Sequence, residues 1–431
     1  MQIEQLYDVF IKHPIISIDS RIISKDCLFF ALKGDRFNGN QFAEKAIEIG
    51  AAYAIIDEIE YAKNSRFILV KNVLETLQEL ANYHRKKLKV PILAITGTNG
   101  KTTTKELVSS VLKQKYRLIY TQGNLNNHIG VPLTLLSMKD DTEFGVVEMG
   151  ANHMNEIMQL CKIAEPDFGL ITNIGKAHLE GFGSFENIIK TKSELYNYLN
   201  NSGGTIFYNA ENSILSELVK SANTKIIPYG DNNNSSATGI ITASNPFINA
   251  KITQGDNTND ISTKLIGNYN LENILAAVCV GTYFGVKNEL IGKAIENYIP
   301  SNNRSQFIKS KLNNIFLDAY NANPTSIEAS LLNFIEMKVE NKCLILGDML
   351  ELGSEAVKEH ERVLEIIKDS NFQKIILVGD VFSKINSPAN YFKFINVNQT
   401  ILWLEKNKIV NSNVLIKGSR GIQLERIVDY L

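Results

Sequence analysis

Four cysteines in 431 residues, Cys27, Cys161, Cys279 and Cys343, are too scattered for a disulfide framework or a zinc cage. Each sits in or beside an apolar segment and reads as a buried thiol. Charge of one sign is also missing: 45 Lys and Arg stand against 46 Asp and Glu, a formal net charge of −1. That balance argues against a general nucleic-acid-binding surface, which shows as a basic excess. No apolar run reaches the roughly 20 residues a membrane-spanning helix needs. The N-terminus, MQIEQLYDVF, lacks the basic start and apolar core of a signal peptide. The expectation is a cytoplasmic monomer with no nucleic-acid partner and no membrane span.

What is present is a globular composition over a length that implies two or three domains. Strand and helix patterns alternate in three blocks, residues 1–85, 86–300 and 301–431. They predict an α/β protein of three domains, a small first one, a central one with a mostly parallel sheet, and a third αβ unit. In the first block, Cys27–Leu32 and Tyr53–Ile56 read as strands, Asn40–Ile49 as a helix ended by Gly50, and 73–87 as a helix. The polar stretch from Gly230 to Thr263 reads as hairpins with long turns.

The most informative segment is PILAITGTNGKTTTKELVSSVLKQKY, residues 91–116. Ile92 to Ile95 reads as a buried strand, and apolar residues then recur at Leu107, Val108, Val111 and Leu112, one face of a helix. Between them lie Gly97, Thr98, Asn99, Gly100, Lys101, Thr102 and Thr103. Strand, glycine turn and helix make a phosphate cradle, with backbone N–H groups and the helix dipole facing an anion. Lys101 would reach the β- and γ-phosphates of a nucleotide and the Thr102 hydroxyl would bind magnesium. The loop is a short variant, with Ile95 where the common spelling has glycine.

Other strand ends carry chemistry, and ligands of parallel sheets collect there. The strand 144–147 ends in Glu148, a hard oxygen ligand suited to magnesium. The strand 168–171 leads to His178, which reads equally as a metal ligand, a general base or a loop histidine. Lys192, on a helix, reads locally as a solvated surface lysine. Asn270 and Asn273 open another helix, where asparagines usually cap, although a carboxamide also suits an adenine edge. In the third block, strands at 315–317, 344–346, 375–378 and 414–416 end in Asp318–Pro324, Gly347–Gly353, Gly379-Asp380 and Lys417–Gly421, a second binding edge.

With these residues assembled, the chain resembles the Mur ligases along nearly its whole length. The resemblance rests on Gly97–Glu106, Gly123–Pro132, Glu148–His153, Asp318–Ser326, Gly347–Gly353 and Lys417–Arg420. It implies an N-terminal domain that binds a UDP-linked substrate, a central ATPase domain and a Rossmann-like C-terminal domain. The implied reaction joins D-alanyl-D-alanine to a UDP-N-acetylmuramoyl (UDP-MurNAc) tripeptide, with ATP converted to ADP and phosphate. By position, Lys101 and Thr102 would hold phosphate and the first of two Mg2+ ions, and Glu148 and His178 the second. Lys192 falls where the family carbamylates a lysine that reaches toward metal. Asn270 and Asn273 fall at adenine, Arg304 and Asp318 where the third domain meets ATP, and Asn321 and Asn323 near the dipeptide. Asp19, Ser20 and Arg21, with Asn126 and Asn127, would meet the UDP substrate, and Asn38-Gly39-Asn40 replaces the family's Asp-Gly-His. The competing readings are a sister ligase, a folylpolyglutamate synthase, and a nucleotide switch that performs no ligation.

Overall fold

The computed structural model describes residues 2–230, 235–301 and 303–431. Three parallel or largely parallel sheets follow one another, and each is buried on both faces because its strands alternate apolar side chains outward in both directions. In the first, Ile16–Ser17, Leu28–Phe30, Tyr53–Ile56 and Phe67–Leu69 pair in parallel. Leu28 and Phe30 face a core shared with the helices Ile3–Lys12 and Val73–Leu88, while Phe29 faces Ala43 and Ala46 of the helix Ala43–Ile49. The helix expected over 40–49 starts as a tighter 3-10 turn, Gly39–Phe42, because the Asn38 carboxamide accepts the Asn40 amide and caps it early.

The central sheet has six parallel strands. In spatial order they are Lys225–Tyr229, Thr205–Asn209, Phe168–Ile171, Ile92–Thr96, Phe144–Glu148 and Leu118–Tyr120. Ile92 and Ala94 point into the core shared with the first domain; Leu93 and Ile95 point the other way, toward the helices Lys101–Leu112 and Asn270–Tyr283. These two helices approach closely: a Cβ on Gly281 would lie 2.5 Å from Val111 Cγ1. The stretch read as hairpins forms a three-stranded antiparallel sheet, Thr238–Ser244, Ile248–Gln254 and Asn257–Ser262. Asp231 to Asn234 of that reading lie outside the described residues.

The C-terminal sheet runs Gln306–Lys309, Asn313–Asp318, Ser412–Lys417, Lys342–Gly347, Lys374–Val378 and Phe392–Phe394, with only the first strand antiparallel. The four strands expected here are present, and the two edge strands are additions. Both are short and half-exposed, so they carry little apolar signal.

At one of the four polar strand ends, Gly347–Gly353, the acid Asp348 proves to be internal scaffold. Asp348 is 2% exposed, and its carboxylate accepts the amides of Val381 (2.8 Å) and Phe382 (2.9 Å) from the helix Asp380–Lys384. Gly379 is required there, since a Cβ would sit 2.2 Å from Asp348 Cγ. His360, fully buried, accepts the Met349 amide at Nε2 (3.0 Å), so Nδ1 carries the proton and donates to the Ala356 carbonyl (2.6 Å). This imidazole and Asp348 fix the loop that carries Glu351. Asp348→Ala leaves two buried amides without an acceptor and is expected to cost about 2–3 kcal/mol. Urea unfolding followed through Trp403, the chain's single tryptophan, which lies in this domain, checks it. Asp348→Asn, which keeps one acceptor, should lose less.

Candidate functional site

The phosphate loop is positioned by its two neighbours in the central sheet. Ile95 is in register with Glu148 on one side and with Leu170 on the other. As the strand ends, its loop is therefore flanked by Glu148 and by the segment that follows Ile171. That segment holds the loop's backbone. The amides of Thr98 and Asn99 donate to Asn173 O (2.9 Å) and Oδ1 (3.0 Å), and the Asn99 carbonyl accepts from Thr172 Oγ1 (2.6 Å) and Asn173 Nδ2 (3.1 Å). Gly97 has φ +140° and Gly100 φ +77°, conformations that strain other residues. Gly100 supplies no side-chain cap to the helix Lys101–Leu112, so its first-turn amides stay available to an anion.

Lys101 Nζ donates to the loop's own Gly97 (2.8 Å) and Thr98 (2.9 Å) carbonyls. Burial lowers its pKa to about 8, with the Glu148 charge opposing the fall and Arg304 adding to it. Below the loop, Thr102 Oγ1 (3.2 Å) and Asn126 Nδ2 (2.8 Å) both donate to Glu148 Oε1. Glu148 is 1% exposed, and its Oε2 has no partner among the described residues. A buried carboxylate oxygen without a donor, beside a threonine hydroxyl, fits a hard cation such as magnesium. Among the described residues no three His, Cys, Asp or Glu side chains converge on one point.

Glu148 is itself held by a chain of contacts. Its amide donates to Thr121 Oγ1 (2.9 Å), and the Thr121 carbonyl accepts from Lys105 Nζ (2.7 Å). Lys105 is fully buried and paired with Glu106 (2.7 Å), which offsets the cost of burying its charge.

Lys192 overturns its local reading as a surface lysine. It is 3% exposed, and its Nζ lies 3.5 Å from the Ala151 carbonyl and 5.7 Å from the centroid of the Phe182 ring. Burial, and next the charge of Lys101, bring its pKa down to about 7. His178 adopts a left-handed backbone conformation, φ +49°, and sets its Nδ1 against Glu351 Oε2 of the C-terminal domain. This contact holds the Glu351 carboxyl below its ordinary value.

A cavity of about 760 Å³ lies where the central and C-terminal domains meet. Arg304 stacks on Tyr320, its guanidinium carbon 3.6 Å from the ring centroid, and Arg420 lies 5.4 Å from the same centroid. Lys417, 2% exposed, bonds Asp318 at 2.6 Å.

Family models match in three consecutive segments: the Mur ligase family catalytic domain over residues 13–91, the Mur ligase middle domain over 95–281, and the Mur ligase glutamate ligase domain over 303–420. The UDP-N-acetylmuramoyl-tripeptide–D-alanyl-D-alanine ligase of Bacillus subtilis is 34% identical over 96% of this chain and 92% of its own. The chain belongs to the Mur ligase family. Its fold matches the crystal structure of MurF from Acinetobacter baumannii with a TM-score of 0.86, at 28% identity over 96% of this chain and 92% of that one. The Thermotoga maritima MurF ligase, solved in complex with ADP, shares the fold at 24% identity and a TM-score of 0.86, covering 98% and 97% of the two chains.

Of the residues expected at a Mur ligase site, Thr98, Asn99, Gly100, Lys101, Thr103, Asn126, Asn127, Glu148, His178, Asn270, Asn273, Arg304, Asp318, Asn321 and Asn323 line this one cavity. Gly97 and Thr102 lie in and beneath the loop, and Lys192 lies behind the wall at Ala151. Asp19, Ser20 and Arg21 are in the first domain, away from the cavity, where Arg21 grips the Asp19 carboxylate (2.6 Å). Asn270 and Asn273 do not cap their helix. Asn273 accepts from Thr104 (2.9 Å) and donates to Asn270 (2.7 Å), which donates to the Ile266 carbonyl (2.7 Å). Asn127 accepts the amides of Ile129 (3.1 Å) and Gly130 (2.9 Å) and so shapes the next helix entry. Sequence reasoning missed Thr121 and the roles of Asn173, Lys105 and Tyr320; only Lys105 carried a signal, as a charge on the buried face of a helix.

A Cβ on Gly97 would lie 2.1 Å from Thr172 Oγ1. Gly97→Ala is therefore expected to lower stability by about 1–3 kcal/mol through backbone strain. Thermal melting should show the loss, and nucleotide titration should show the displaced loop as weakened binding.

Proposed function

We propose that this chain is an ATP-dependent amide ligase that joins D-alanyl-D-alanine to the free carboxylate of UDP-MurNAc-tripeptide, giving ADP and phosphate. One observation carries the reading: a single cavity is lined by the phosphate loop, by Glu148 with its unpartnered oxygen, and by the Asp318–Asn323 and Lys417–Arg420 edge of another domain. Relatives that match over 96% of the chain bear this activity in their names. We assign residues 1–85 to the UDP substrate, 86–300 to ATP and 301–431 to the incoming dipeptide.

A peptide carboxylate is a poor electrophile, so one of its oxygens first attacks the γ-phosphorus of ATP, the bond to the β–γ bridging oxygen breaks, ADP leaves and an acyl phosphate forms. That step brings two anions together, and the ammonium of Lys101, released from the Gly97 and Thr98 carbonyls, offsets their repulsion. Arg304, stacked on Tyr320 and with its buried Nε unpartnered among the described residues, would offer a donor to the same phosphate. The dipeptide amine then attacks the acyl carbon and expels phosphate. Closed domains align the reactants and exclude water from the acyl phosphate.

The Glu148 and Thr102 oxygens fit one Mg2+, and a second would be shared by Glu148, His178 and carbamylated Lys192. Such ions supply further positive charge to the phosphates. The fit of Lys192 to a carbamate rests on its burial and its place behind the wall that Glu148 and His178 line. Asn270 and Asn273 would meet adenine with the hydrogen-bonding capacity their mutual contact leaves over.

Phosphate release should require both UDP-MurNAc-tripeptide and D-alanyl-D-alanine; a nucleotide switch would release it with neither. Lysine- and diaminopimelate-containing tripeptides are the two forms to assay. Lys101→Ala should lower ligation by at least about a hundredfold with an unchanged circular dichroism spectrum, and a variant of normal activity would refute the assignment of Lys101.

A further inference from the structure

The phosphate loop and the C-terminal domain touch through a reciprocal pair of carboxamides. Asn323 Nδ2 donates to Asn99 Oδ1 at 2.8 Å, and Asn99 Nδ2 faces Asn323 Oδ1 at 3.4 Å. Neither side chain hangs from a free segment. The Asn99 backbone is bonded on both sides to Thr172 and Asn173, and it stands two residues before Lys101. Asn323 caps the helix Pro324–Glu336, its Oδ1 accepting the Ser326 amide (2.9 Å) while its own amide donates to Ser326 Oγ (3.1 Å). Thr325, in the first turn of that helix, accepts the Lys176 amide (3.2 Å) from the loop that follows Asn173. A rigid helix start thus docks against the two adjacent strand ends that shape the phosphate cradle.

We infer that Asn323 is a positioning residue that acts on the phosphate loop through Asn99, so that arrival of the C-terminal domain and the working geometry of Lys101 are one event. This rests on the ligase reading above and replaces, for Asn323, the expected contact with the dipeptide. The carboxamide is already shared between the helix cap and Asn99, which leaves little of it to recognise a ligand. A carboxamide pair is also suited to a joint that must open: it carries no net charge, and each half can bond water when the domains part.

The test is a double-mutant cycle in the full-length protein with Asn99→Ala and Asn323→Ser. Serine keeps the helix cap but is too short to reach Asn99. Each single variant should lower kcat roughly tenfold or more, with the KM for D-alanyl-D-alanine little changed and the melting temperature preserved. The double variant should be no worse than the poorer single one. Multiplying losses, or a raised dipeptide KM confined to Asn323→Ser, would overturn the inference, as would full activity in either single variant. If Asn323→Ser melts early, Asn323→Thr, which also caps, takes its place. A wild-type chain that releases no phosphate with both substrates would instead overturn the ligase reading itself.

Discussion

The site depends on one neighbour relation, the place of Ile92–Thr96 between Phe144–Glu148 and Phe168–Ile171 in the central sheet. A phosphate loop has few intrinsic ways to hold its shape, because its glycines adopt conformations that nothing local enforces. Here the adjoining strand end supplies the enforcement through Thr172 and Asn173, and the opposite neighbour delivers Glu148 at the same level. Were the strands ordered differently, the same loop sequence would have neither backing nor carboxylate.

The electrostatics follow from that placement. Lys101 is half-buried in its loop and Lys192 is buried behind it, where the Lys101 charge disfavours a second cation; Glu148 acts on Lys101, and Glu156 and Glu194 act on Lys192. Positive charge held in a poorly solvated place is costly until an anion arrives, and that is the condition under which it acts strongly on one. Under the proposed reaction the arriving anions are the phosphates and a carboxylate. The C-terminal domain completes the arrangement with Arg304, stacked on Tyr320, and with contacts from Asn323 and Glu351 to the central loops.

Much of this was legible in the sequence because strand ends are local features. An apolar run followed by Gly97–Thr103, or by Glu148, declares both its element and the edge to which its chemistry belongs. Lys192 was not legible. Its helix, Phe185–Ser202, buries Thr191, Lys192, Ser193 and Glu194 in succession, so polarity did not mark the solvent side. Asp348 failed in the opposite sense, because a strand-end acid that caps a neighbouring helix has the same local spelling as one that meets a ligand. Thr121, Asn173 and Asn323 act through partners 27, 74 and 224 residues away, and no local pattern announces a hydrogen bond across such distances.

The central claim is that a carboxylate oxygen becomes part of the phosphate that leaves. Ligation with UDP-MurNAc-tripeptide labelled with oxygen-18 in its terminal carboxylate tests this most directly, with mass spectrometry of the released phosphate. An acyl phosphate attacked at its acyl carbon by the dipeptide amine must release phosphate that carries one labelled oxygen. Unlabelled phosphate, with the label lost to water or kept wholly on the peptide side, would contradict that route.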